Sequence, residues 1–154
     1  MLKNSYVVWE GASLIDGSPI VLILTGFVNH TLNRKTGGLL QSWIIQQNFV
    51  PTEAAKKGLE KGVCGACPLK MSQTGVCFVN LLPVNNIYRT YFAGNYPKLS
   101  ANEIEILKRY RYPIRIGSYG DPTAVPFDVW EPIIRASSGH TGYTHLCNTK
   151  KIII

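Results

Sequence analysis

Three cysteines crowd one glycine-broken stretch of this chain. Cys64 and Cys67 are two residues apart and Cys77 follows after nine more, so three thiols lie within fourteen positions. Gly65, Pro68 and Gly75 interrupt the stretch from Val63 to Asn80 and forbid a long regular element there. Such a segment wraps round something. Thiols at C-x-x-C spacing reach adjacent positions of one ion or cluster, and Gly65 lets the backbone turn its N–H groups toward the sulfurs. The fourth cysteine, Cys147, stands seventy residues beyond Cys77 and joins the others only through the fold.

Zinc and iron-sulfur clusters both accept four thiolates. Structural zinc sites usually take their ligands as two close pairs, whereas here one pair is followed by two isolated cysteines. Pro68 directly after Cys67 matches the Cys-Pro step of ferredoxin-type sequences, and Val63, Leu69, Val76 and Phe78 offer an apolar sheath. The spacing therefore favours a cluster, in the form of one [4Fe-4S] held by Cys64, Cys67, Cys77 and Cys147. Zn2+ is the alternative, and buried or disulfide-paired cysteines are the plain structural reading. Cys147 itself is either a ligand or a small hydrophobe in the core, and His145 is an alternative fourth ligand.

The rest of the chain predicts one mixed domain over residues 1–154, α/β or α+β. With 154 residues, 45% of them hydrophobic, it is long enough for one core. Tyr6–Trp9, Ile20–Thr25 and Leu39–Ile45 read as strands, with the polar run Asn33–Gly38 making an antiparallel connection between the last two. A helix is expected from Pro51 to Gly62, and further helices over Val84–Phe92, Ala101–Tyr110 with Ser100 or Asn102 as cap, and Ala124–Ala136 beginning near Pro126. Strands at Ile114–Tyr119 and Thr141–Leu146 flank the last helix as a parallel β-α-β unit. The tail from Lys150 to Ile154 reads as a terminal strand or a frayed end. The longest apolar run, Ile20–Leu24, is far short of the ~20 residues that span a bilayer. The early sequence has no secretory pattern, which points to a cytoplasmic protein.

The stretches Val63–Leu69, Cys77–Asn80, Arg115–Pro126 and Thr141–His145 together resemble a family of largely uncharacterised phage and bacterial proteins, over about residues 9 to 145. That resemblance implies an iron-sulfur protein with a partial α/β barrel, distantly similar to the radical SAM architecture, working in a bacterial or phage-infected host cytoplasm. It also implies a rival reading: an enzyme with three cysteine ligands and an open iron that takes S-adenosylmethionine near Tyr119 and Asp121. The C-x-x-x-C-x-x-C motif of radical SAM enzymes is missing from this chain.

Other side chains carry weaker signals. Asp121, after the strand ending at Tyr119, is read first as a cap of the next helix and second as a ligand contact. His140 is expected in a solvent-facing turn, and Tyr143 and His145 near Cys147. Lys108, Arg109, Arg111 and Arg115 interleave with Tyr110 and Tyr112, and the net charge of +7 suits an acidic redox partner or, as a further alternative, nucleic acid bound by a structural-zinc module. Electron transfer or redox sensing without catalysis is the function these residues support.

Overall fold

The computed structural model describes residues 1–29, 37–77 and 79–146. The expected turn residues Asn33 to Thr36, the sheath residue Phe78, the ligand candidate Cys147 and the tail from Lys150 to Ile154 lie outside them.

The centre of the molecule is the run Ile20–Leu24. All five side chains are fully buried, and because successive strand residues point to opposite faces, both faces of the sheet are covered there. This run lies in β2 (Pro19–Thr25), flanked by β1 (Ser5–Ala12) and β3 (Leu40–Gln46), each paired antiparallel to it. The sheet continues in parallel through β4 (Ile114–Tyr119) to β5 (His140–Gly142), in the order β1-β2-β3-β4-β5. This is a mixed α/β fold with an antiparallel N-terminal portion and a β-α-β unit at its end, as the sequence predicts.

Between β3 and β4 the chain forms α1 (Pro51–Lys56), α2 (Lys61–Cys64), α3 (Leu81–Phe92) and α4 (Ala101–Tyr110); α5 (Phe127–Ala136) joins β4 to β5. α1 packs with α3, and α4 with α5. α4 has the expected limits because Ser100 and Glu103 form a reciprocal capping box. The helix expected from Pro51 to Gly62 divides instead: α1 stops at Lys57, Gly58 takes a positive φ of 66°, and a single new turn begins at Lys61. The helix within Ala124–Ala136 begins at Phe127 with Pro126 as its N-cap, close to the expected start near Pro126, and a separate 3-10 turn at Pro122–Ala124 precedes it. The last strand ends at Gly142, before the expected Leu146, because residues 144–146 are bonded elsewhere.

Candidate metal and redox site

β4 is irregular where it approaches the cysteine loop. Leu40 pairs with Ile114 and Gln41 with Arg115, but Trp43 pairs with Tyr119, so β4 carries extra residues against β3. Gly117 has φ 73°, and a Cβ there would lie 2.8 Å from the Gly120 carbonyl oxygen; only glycine fits this bulge. Buried Ser42 closes it: its hydroxyl donates to the Arg115 carbonyl at 2.9 Å and accepts from Gly117 N–H at 2.7 Å. A bulge breaks the two-residue alternation of a strand and re-aims the side chains beyond it. Tyr119, two residues past Gly117, is buried near Cys64, and each of the two groups affects the other's ionisation.

Cys64 is the last residue of α2, and its N–H donates to the Glu60 carbonyl at 2.8 Å. Gly65 then reverses the chain at φ 56° and ψ −136°. The Cys67 N–H returns to the Cys64 carbonyl at 3.2 Å, and Lys70 Nζ donates to the Gly65 carbonyl at 2.9 Å. The Ser72 N–H reaches back to Glu60 Oε1 at 3.0 Å, tying the outer part of the loop to its base. Cys64, Cys67 and Cys77 are all free thiols and all partly buried.

Their electrostatics are mutual. The Cys64 thiol is pushed up to about 12, by burial first and then by negative charge on Glu60, Cys77 and Cys67, with Tyr119 acting in the opposite direction. Tyr119 is itself raised well above the usual phenol range, by burial first and then by Cys64 and Glu60, so it remains an O–H donor. Glu60 is 1% exposed, and its Oε2 is a buried oxygen with no hydrogen-bond partner. Thiolates are the ligands a thiophilic cation takes, and three thiols stand on this one loop. Among the described residues, no three His, Cys, Asp or Glu side chains converge closely enough to hold a metal ion.

The C-terminal segment is drawn to the same place by Asp121. This residue is 7% exposed, and its backbone N–H donates to the Val63 carbonyl at 2.6 Å. Its Oδ1 accepts from the Thr123 N–H and hydroxyl, which is the capping role the sequence predicts. In addition, the Thr144 hydroxyl lies 2.7 Å from both carboxylate oxygens and the His145 N–H donates to Oδ2 at 3.0 Å. Thus Asp121 faces donors on every side. Leu146 is brought against Gly65, where a Cβ would stand 2.8 Å from Leu146 Cδ1.

Several expected participants sit apart from this cluster. The His145 ring is exposed and edge-on to Tyr143 at 5.7 Å, and His140 is exposed but in β5, not in a turn. Val76 is 62% exposed, so among the described residues the expected apolar sheath is reduced to Val63 and Leu69, because the loop's outer half lies at the surface. Among the basic residues, Lys108 pairs with Glu105 at 2.7 Å and Arg109 lies over the Tyr110 ring at 5.9 Å. A cavity of about 290 Å³ beside Asp16, Ser18, Gln46, Asn48 and Lys61 contains none of the cysteines. Glu60 is not among the residues the sequence singles out; its signal is its i, i+4 spacing to Cys64 on a helical turn. No described helix is long and apolar enough to cross a membrane. Comparison with protein-family models, with curated proteins and with solved structures finds no match.

Proposed function

We propose that this chain is an iron-sulfur protein, of the phage and bacterial kind its motifs resemble, that holds one [4Fe-4S] cluster on Cys64, Cys67, Cys77 and Cys147. Its role is electron transfer or redox sensing, with an acidic protein as partner for the basic chain. The observation that carries the reading is that Cys67 and Cys77 are both close enough to the partly buried Cys64 to act on its charge, on one loop of three free thiols.

The chain's own groups have definite tasks in this reading. Gly65 and the Cys64–Cys67 turn set the first pair of sulfurs. The buried Tyr119 hydroxyl is close enough to Cys64 to favour its thiolate, the kind of outer group that adjusts a cluster's potential. Asp121 fastens residues 144 and 145, and Leu146 packs at Gly65. A bound cluster supplies one-electron chemistry.

The test is anaerobic purification or reconstitution with ferrous iron and sulfide, followed by metal and sulfide analysis and an absorption spectrum. Brown protein with about four iron and four sulfide per chain supports the reading, with Cys64→Ala and Cys67→Ala losing both. Colourless protein with stoichiometric zinc and no sulfide overturns it.

A further inference from the structure

We infer that the end of the sheet away from the cysteine loop is a binding surface for single-stranded nucleic acid, with the Tyr110 ring as stacking platform and Arg109, Arg111 and Arg115 as phosphate contacts. This surface lies at the start of β4 and the cysteine loop beyond its end, so its role stands whether or not a cluster is bound.

Strand direction gathers the charges. β1, β3, β4 and β5 begin at this end and β2 finishes there, since Ser5 pairs with Thr25, Thr25 with Gln41, Leu40 with Ile114 and Ile114 with His140. α4 also ends there, and Arg111, Tyr112 and Pro113 carry the chain from it into β4. Lys3, just before β1, therefore joins Arg109, Arg111 and Arg115 at one end of the molecule, and none of the four belongs to the ion pairs among the described residues. On the two helices that end here, Glu105 and Glu131 are already matched to Lys108 and Arg135 at 2.7 Å, and Glu103 is held in the capping box of α4. Asp16, in the β1–β2 turn, and Asp121, bonded to Val63, belong to the opposite end. Cations outside any ion pair suit a polyanion.

Two further features select the polyanion. Arg111 is the one non-glycine residue with a positive φ among the described residues, 51°, at a helix C-cap where glycine is usual because it has no Cβ to strain. Strain retained at an exposed arginine points to a use for its side chain. Beside it, Tyr110 is 61% exposed. The Arg109 guanidinium stands 5.9 Å from its ring centroid and the Tyr112 ring 6.1 Å away, and Tyr112 in turn meets the buried Phe27 edge-on. A supported ring among guanidinium groups serves a base and its phosphates together. An acidic polypeptide would occupy the arginines and leave the ring unused, and a duplex keeps its bases within the stack.

The experiment titrates the full chain into a short fluorescent oligothymidylate and reads anisotropy, for wild type, Tyr110→Ala and Arg111→Gly. The wild type should bind, with affinity falling about tenfold between about 50 and about 200 mM salt. Tyr110→Ala, a change at an exposed ring, should bind about tenfold more weakly. Arg111→Gly should bind about fivefold more weakly and yet melt a few degrees higher, because glycine accepts the positive φ; an arginine with no ligand would give the rise alone. Absence of binding, equal affinity for a duplex of the same length, or full affinity in either variant overturns the surface. Displacement of the oligonucleotide by polyglutamate as readily as by unlabelled oligothymidylate overturns it in favour of an acidic protein.

Discussion

The antiparallel half of the sheet and the cysteine loop are held together by opposite means. In β2 and its neighbours, Ile20 to Leu24, Leu40, Ile44 and Ile45 are sealed from water, and their packing needs nothing from outside the chain. The loop from Cys64 to Cys77 has partly buried thiols, an exposed Met71 and Val76, and beneath them a carboxylate oxygen with no partner. The first region stores stability in apolar contact; the second exposes its outer side chains and buries a carboxylate oxygen that has no partner among the described residues. β4 and Asp121 form the joint between them.

The contrast is broken most severely from the core side. Leu22→Ala should destabilise by about 3 kcal/mol, lowering the melting temperature by roughly 6–12 °C, whereas Val76→Ala should stay within about 0.5 kcal/mol. Urea unfolding of both variants checks this; equal effects would show that the loop is as tightly packed as the sheet.

At the joint, Asp121→Asn turns an amide N–H toward the donors of Thr123, Thr144 or His145. A cost of about 2.5 kcal/mol is expected, with weaker retention of iron under a chelator, because the segment leading to Cys147 is released. Stability falling while iron retention is unchanged would separate this latch from the metal site.

Within the loop, Gly65→Ala should cost about 1.5 kcal/mol through its positive φ, and should push Leu146 away. Hydrogen exchange at the Leu146 amide reads the displacement directly.

The smallest effect is one of pH on the metal-free protein. Cys64 is raised from 9.0 to about 12 by burial and by Glu60, so between those values the folded state keeps a proton that the unfolded chain gives up. Its contribution is complete below about pH 9 and is lost as pH climbs toward 12. Urea midpoints at about pH 8 and about pH 10.5 should differ less in Cys64→Ala than in the wild type. Equal differences would mean that Cys64 is more open to water than the rest of the loop's base.

Much of the frame is legible in the sequence because its causes are local. The β-branched run Ile20–Thr25 reads as a strand from its residues alone, and Ser100 with Glu103 marks the start of α4 by a bond spanning three residues. The cysteine loop is legible for the same reason, since Gly65, Pro68 and Gly75 exclude regular structure wherever they stand. Residues 144–146 have the composition of a strand end but are not one, because their partner, Asp121, is more than twenty positions away and competes with sheet pairing.

The amino-acid sequence by itself therefore determined the first four strands, the loop and the three thiols placed on it, because propensity, capping and residue spacing act over a few residues. Only the tertiary structure decided that Tyr119 meets Cys64, that Asp121 binds the C-terminal segment, and that Glu60 is buried with one oxygen free. Those facts depend on a strand bulge at Gly117 and on contacts between distant elements, and burial, which sets the cost of a polar atom, is a property of the assembled fold.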